Sequence, residues 1–281
     1  MKLLEIRTNI PLDVIRFINT FLYIKLNNET IKHAVKLYFE NKEQCLILYG
    51  PIEYWNTSKV TNMSELFFDN QEQIPDISRW NVSNVTNMSR MFCTTRKFNG
   101  DISNWNVGNV TNMFNMFSFA KNFNCNISNW NVSNVRDMSY MFFDAINFNA
   151  DLSGWNVSNV TNMSRMFCYS ENFNQNLNNW NVSNVTDMSH MFSQTKKFDG
   201  NISAWNVSNV VNMSHMFKSA ESFNSDISKW NVINVTNMSF MFCYAYNFNC
   251  NISNWNVSNV VDNQHIFKKC NIKEEYKPRF I

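Results

Sequence analysis

Apolar side chains in this chain follow one pattern that returns every 25 residues. In one copy of it, Val85, Met88, Met91, Phe92 and Thr95 fall at i, i+3, i+6, i+7 and i+10. That spacing predicts a short helical segment with a single buried stripe. Ser83, just ahead of the stripe, is placed to cap it by accepting an orphan backbone N–H. Further along, Asp101-Ile102-Ser103 alternates polar and apolar, which predicts a very short strand with Ile102 turned inward.

The period is set by tryptophan. Trp55, Trp80, Trp105, Trp130, Trp155, Trp180, Trp205, Trp230 and Trp255 are evenly spaced, without insertion or deletion. With Trp as position 1, the unit reads W-N-V-S-N-V-T-N-M-S-x-M-F-x-x-a-x-x-F-N-x-[DN]-I-S-x. A period of this length is the mark of a solenoid, in which each coil buries its apolar side against its neighbours. One short parallel strand and one short helical segment per 25-residue coil, all running the same way, give an α/β, right-handed solenoid with a parallel sheet on one face. The interior is expected at positions 1, 3, 6, 9, 12, 13, 19 and 23, and the near-invariant Asn at positions 2 and 5 is expected to form turn ladders, because Asn bonds nearby backbone and tolerates tight turns.

The ends do not fit the unit. Residues 1–54 are expected to form a helical N-terminal cap, with one helix over 10–22, where Pro11 stands near a helix start, and a second over 29–40. Residues 55–270 make the nine coils. In the last coil Met gives way to Asn263 and Ser to Gln264, charged residues follow, and 271–281 reads as a polar tail that blunts an exposed edge.

The motif W-N-V-S-N-V-T-N-M-S-x-M-F followed by F-N-x-[DN]-I-S resembles the repeat of BspA-like leucine-rich-repeat proteins, over residues 55 to about 270. The resemblance implies an LRR-like solenoid used for protein binding or adhesion, with no catalytic residues to carry over. Residues 10–22 resemble the opening helix of an F-box, which implies recruitment of a ubiquitin-ligase adaptor.

Composition narrows the function classes. Net charge is +2 with charged residues at 16%, and no Lys/Arg stripe supplies a nucleic-acid footprint. The N-terminus carries charge where a secretion signal needs an apolar run, and no stretch is long enough to span a bilayer. Of the seven cysteines, Cys93, Cys168 and Cys243 share one position but stand three coils apart, roughly 14 Å at the usual strand spacing and beyond the ~7 Å limit for a bridge. Reduced thiols and an intracellular, cytoplasmic location follow, with a cell-surface adhesin or a structural rod as the alternatives.

No recurring set of residues in the sequence carries a catalytic or metal-binding pattern. His190, His215 and His265 share position 11 with Glu65, Arg90, Asn115, Tyr140, Arg165 and Phe240, a mixture without a recurring carboxylate or thiol partner, so no metal site is expected. The Asp/Asn column at position 22 lacks the Gly-rich motif of calcium solenoids. Asn-x-Ser/Thr tripeptides read as turn residues, and no phosphate loop or nucleophile motif occurs, so neither a cofactor nor an enzyme is expected. Positions 11, 14, 15, 17 and 18 vary from coil to coil while positions 2, 5, 8, 20 and 24 barely change. Specific recognition needs unlike residues, which selects a ridge containing Arg90, Tyr140, Phe143, Arg165, Tyr169, His190, His215, Phe240, Tyr244 and Tyr246 as the surface for a protein partner.

Overall fold

The computed structural model describes residues 25–280. Two helices open this span. Helix α1 (Asn28–Glu40) begins at a capping box in which the Asn27 side chain accepts from the Thr30 amide and Thr30 reaches back to Asn27. Its inner face buries Ile31, Ala34 and Val35. Asn41 ends α1 and caps helix α2 (Lys42–Tyr49), which stops at Gly50, φ 73°, a backbone conformation suited to glycine. The F-box-like helix at 10–22 lies outside the described residues.

From Trp55 onward the chain stacks as coils of 25 residues, and the expected α/β construction does not hold: among the described residues no coil contains a strand or a helix. Strand-like pairing among the described residues is confined to a single parallel bridge per step at position 8, running from Asn62–Asn87 to Asn237–Asp262, and one parallel bridge between Lys25 and Asn56 at the N-terminal end. Asp101-Ile102-Ser103 is not a strand. Ile102 does point inward, but its carbonyl closes a turn by accepting from the Trp105 amide at 3.1 Å.

The stripe read as helical is instead a run of overlapping turns. Even positions bond within the coil: the amides of Met91, Cys93 and Thr95 donate to the carbonyls of Met88, Arg90 and Phe92 at 3.2 Å each. Odd positions bond across to the next coil: Met88 to Asn112 at 3.0 Å, Arg90 to Phe114 at 2.9 Å, Phe92 to Met116 at 2.9 Å and Thr94 to Ser118 at 2.7 Å. A spacing of three between buried residues is common to a helix and to turns closed by i to i+3 bonds, so apolar periodicity alone cannot separate them. The difference is in φ. Positions 11 and 15 of every coil, from Glu65 and Asp69 to His265 and Lys269, have φ between 53° and 64°. Positive φ at the third residue of a turn is the type II signature, and here it sends the odd amides outward to the neighbouring coil. With no helix to begin, Ser83 is no cap; its own amide and hydroxyl donate to Asn81 Oδ1.

Asparagine shapes the rest of each coil. At positions 2, 8 and 22, Asn or Asp accepts from the amide two residues on, as in Ser83 to Asn81 at 3.0 Å, Ser89 to Asn87 at 2.9 Å and Ser103 to Asp101 at 3.0 Å. Position 5 differs from expectation: its amide reaches the preceding coil, as Asn134 Nδ2 does to the Gly108 carbonyl at 2.7 Å.

The interior lies at the expected positions, for example Trp130, Val132, Val135, Met138, Met141, Phe142, Phe148 and Leu152. The position-13 phenylalanines stack face to face along the whole molecule, Phe117 on Phe142 at 5.7 Å, and those of position 19 form a second column, Phe123 on Phe148 at 5.9 Å. Within a coil the two columns interleave, Phe142 on Phe148 at 3.8 Å. Each indole N–H is also used, Trp130 donating to the Ile102 carbonyl, 28 residues earlier, at 3.1 Å.

Both ends are closed by imitation of a coil. At the N-terminal end the Leu26 amide donates to the Asn56 carbonyl at 2.9 Å, and Asn28 Oδ1 accepts from the Thr61 and Asn62 amides. At the other end the chain turns back: Ile272 is buried, the Tyr276 carbonyl accepts from the Ile252 amide at 3.0 Å, and Lys273 donates its amide to Asn249 Oδ1.

Candidate partner-binding ridge

Positions 11 and 15 are the left-handed positions, and both are among the variable ones. A left-handed residue inside a chain of turns directs its side chain away from the core, so nothing in the interior restricts its size. The backbone there is fixed by the ladder bonds on both sides. The ridge is therefore a set of unlike side chains mounted at regular intervals on a rigid frame.

The structure places the ten ridge residues in four groups. Arg90 stands near the N-terminal end, its guanidinium 2.5 Å from Glu65 Oε1 and 4.3 Å over the Phe68 ring. The coil carrying Asn115 separates it from the second group. Tyr140, Phe143, Arg165 and Tyr169 are contiguous: Tyr140 and Phe143 lie 5.6 Å apart, Phe143 meets Tyr169 edge-on at 5.7 Å, and Arg165 donates to the Tyr140 hydroxyl while sitting 5.1 Å over its ring. The third group is a stack of His190 on His215 at 4.2 Å and His215 on Phe240 at 4.8 Å. Tyr244 and Tyr246 form the fourth, 6.2 Å apart in the eighth coil. Tyr169 and Tyr246 are exposed at 44% and 42%, whereas the others are half-buried, so these two phenols are the ridge's most available aromatic surface.

The histidine stack has an electrostatic signature. Burial, then the charges of His215, Arg165 and Lys218, push the His190 imidazole down to about 3. His215 is lowered too, by burial and then by Lys218 and Arg165. Both rings are therefore neutral at pH 7. Among the described residues no group of three His, Cys, Asp or Glu side chains comes together as metal ligands. All seven cysteines are free, and burial raises each thiol, Cys168 to about 12, so none is a ready nucleophile.

Sequence reasoning missed part of the ridge. Lys218, Gln194, Ser193 and Cys168 join Phe143, Arg165, Tyr169 and His190 around a cleft of about 230 Å³. Their positions, 14 and 15, vary from coil to coil, but only stacking brings Arg165 of one coil and Lys218 of the next but one to the same hollow. Phe114 and Phe119 also belong to the aromatic group, at 5.9 Å from Tyr140 and 5.2 Å from Phe143.

These features define a repeat protein built from stacked turn coils with a variable outer ridge. A family model described as Mycoplasma protein of unknown function, DUF285, matches three times in tandem, over residues 33–131, 103–192 and 174–277, and the chain belongs to this BspA-like repeat family. No curated protein and no solved structure matches.

Proposed function

We propose that the chain is a non-enzymatic protein-interaction module that binds its partner along the variable ridge. The observation that supports this most is the coincidence of sequence variability with a fixed left-handed backbone at positions 11 and 15. The core constrains every other recurrent residue, so specificity has to reside where side chains differ, and the aromatic and Arg content suits an interface. Capture of partners by the full chain from its native host, repeated with Tyr169→Ala/Tyr246→Ala, tests the reading. Loss of a captured protein in the variant is the expected result. Retention of every captured protein would reject the ridge.

An intracellular setting fits seven unbridged thiols. Among the described residues no helix is long and apolar enough to cross a membrane, which leaves surface attachment to be tested directly. Protease shaving of intact cells is expected to leave the chain untouched, and its cleavage would favour the BspA-type adhesin. The F-box-like pattern at 10–22 adds a role as a substrate-recognition subunit. Co-purification of a ubiquitin-ligase adaptor with the full chain, lost on Leu12→Asp/Ile15→Asp, is the outcome that role requires.

A further inference from the structure

On the ridge, three basic side chains are neutralised by a carboxylate one coil away, Arg90 by Glu65, Lys121 by Asp144 and Lys196 by Glu171, whereas Arg96, Lys97, Lys197, Lys268 and Lys269 have no such partner among the described residues. Arg165 and Lys218 are also unpaired, and they line one and the same hollow. Among the described residues neither has a carboxylate within ion-pairing distance; Arg165 spends one donor on the Tyr140 hydroxyl and Lys218 lies 5.6 Å over the Phe240 ring. They line the same 230 Å³ cleft, together with the neutral His190 and the buried Cys168 and Ser193. No lining residue is acidic. Asp144, on the adjacent coil, is already engaged by Lys121 at 3.4 Å.

We propose that this cleft is an oxyanion subsite in which Arg165 and Lys218 bind a carboxylate or phosphoryl group carried by an acidic segment of the protein partner. The inference rests on the ridge being the binding surface. A guanidinium offers five donors and an ammonium three, so both retain unused N–H groups, and the hollow is of a size to admit a side chain but not a folded element. Arg165 and Lys218 both add, after burial and His215, to the lowering of the His190 imidazole, so their charges are felt at the cleft, where the same field would attract an anion. Tyr169, exposed at the cleft's rim, supplies an aromatic wall for the aliphatic part of the bound residue.

The test is titration of the full-length chain with a hexaglutamate peptide, with hexaglutamine and inorganic phosphate as the other two probes, read by calorimetry and by the imidazole proton resonances of His190 and His215. Hexaglutamate is expected to bind and to shift both imidazoles, and hexaglutamine to do neither. Arg165→Gln/Lys218→Gln should weaken hexaglutamate at least ten-fold, and Lys218→Gln alone, which disturbs only a ring contact, at least three-fold, with thermal unfolding confirming that the variants fold. Unchanged affinity in a folded Lys218→Gln or double variant, or equal binding of hexaglutamine, overturns the subsite. Tighter binding of inorganic phosphate than of hexaglutamate overturns the acidic segment as its occupant. A captured partner lost in Tyr169→Ala/Tyr246→Ala but kept in Arg165→Gln/Lys218→Gln removes the subsite and leaves the ridge standing; one kept in both removes the ridge as well.

Discussion

Ser219 illustrates how a single φ value separates two folds with the same apolar pattern. At φ 55° an L side chain crowds its own carbonyl, at a cost of about 1–2 kcal/mol. Glycine avoids that cost but loses about 0.5–1 kcal/mol of chain entropy on folding. Ser219→Gly is therefore expected to stabilise by ~0.5 to 1 kcal/mol and Ser219→Ala to stay at or below the parent, measured by denaturant unfolding. In a helix the order reverses, with Ala ahead of Gly by about 1 kcal/mol. Glycine carries the opposite message at Gly200, where an added Cβ would meet the Gln175 carbonyl oxygen at 2.0 Å, while at Gly154 nothing lies within 4 Å. Gly200→Ala should cost roughly 1–3 kcal/mol because backbone has to move, and Gly154→Ala should be neutral or gain up to about 1 kcal/mol. His190 yields a pH dependence. Its folded value, about 3, lies below the ordinary 6.5, so between these limits the unfolded chain binds the extra proton. Stability is then complete above pH 6.5 and falls as the pH drops towards 3, by at most about 1.4 kcal/mol per pH unit for this one group. Asp76, Asp101, Asp151 and Asp226, lowered by hydrogen bonds from Ser78, Ser103, Ser153 and Ser228, add losses only below their ordinary 3.8. Melting curves between pH 4.5 and 6.5 therefore isolate the imidazoles, and His190→Gln should flatten the slope there.

The coil is the unit of the next scale, and its length is dictated by hydrogen bonds at i±24, i±25 and i±26. Met88 to Asn112, Thr111 to Thr86 and Asn134 to Gly108 are one example of each, all closing at 2.7–3.0 Å. Removing residues 105–129 deletes one complete coil and returns every remaining column to register. The shortened chain is expected to fold, with the same circular dichroism per residue and a modestly lower unfolding midpoint, because coil stability sums over nearest neighbours. Removing 105–128 instead shifts all columns by one and should leave the protein unfolded or aggregated. The turn segment differs from the helix its apolar pattern predicts for a physical reason. Val85, Met88, Met91 and Phe92 are buried as the pattern required, yet burial at intervals of three is satisfied equally by helix and by successive turns. The deciding signal would have been Gly or Asn throughout positions 11 and 15, and apart from Asn115 the sequence puts residues such as Arg, Tyr, His and Phe there instead. Those residues tolerate positive φ because four cross-coil bonds per step over-determine it.

Over the whole molecule, the stack has two unlike ends. Asn28 and Leu26 supply the first coil with the acceptors and donors that a preceding coil would provide. At the far end Ile272 is buried, and Lys273 and Tyr276 bond to Asn249 and Ile252 of the eighth coil, while the turn-segment amides of Asn263, His265, Phe267 and Lys269 have no cross-coil acceptor among the described residues. Opening should begin there. Amide exchange in the full chain is expected to be fastest in the ninth coil and slowest near the fifth. Deleting 271–281 should extend the fast zone into the eighth coil without altering coils two to six. Uniform exchange along the stack would show that the coils unfold as one block.

The repeat length, the number of coils, the interior positions and the variable ridge were all legible in the residues, because each is a matter of which side chains recur and a 25-residue period makes recurrence visible. The Asn turns at positions 2, 8 and 22 were also within reach, since an Asn side chain bonds backbone two residues away and needs no distant partner. Two things required the tertiary structure. The backbone path of each coil was decided by the next coil, whose carbonyls capture alternate amides and impose positive φ on residues that would not adopt it alone. The cleft was decided by stacking, because Arg165, His190 and Lys218 are up to 53 positions apart in the sequence and meet only when three coils lie on top of one another.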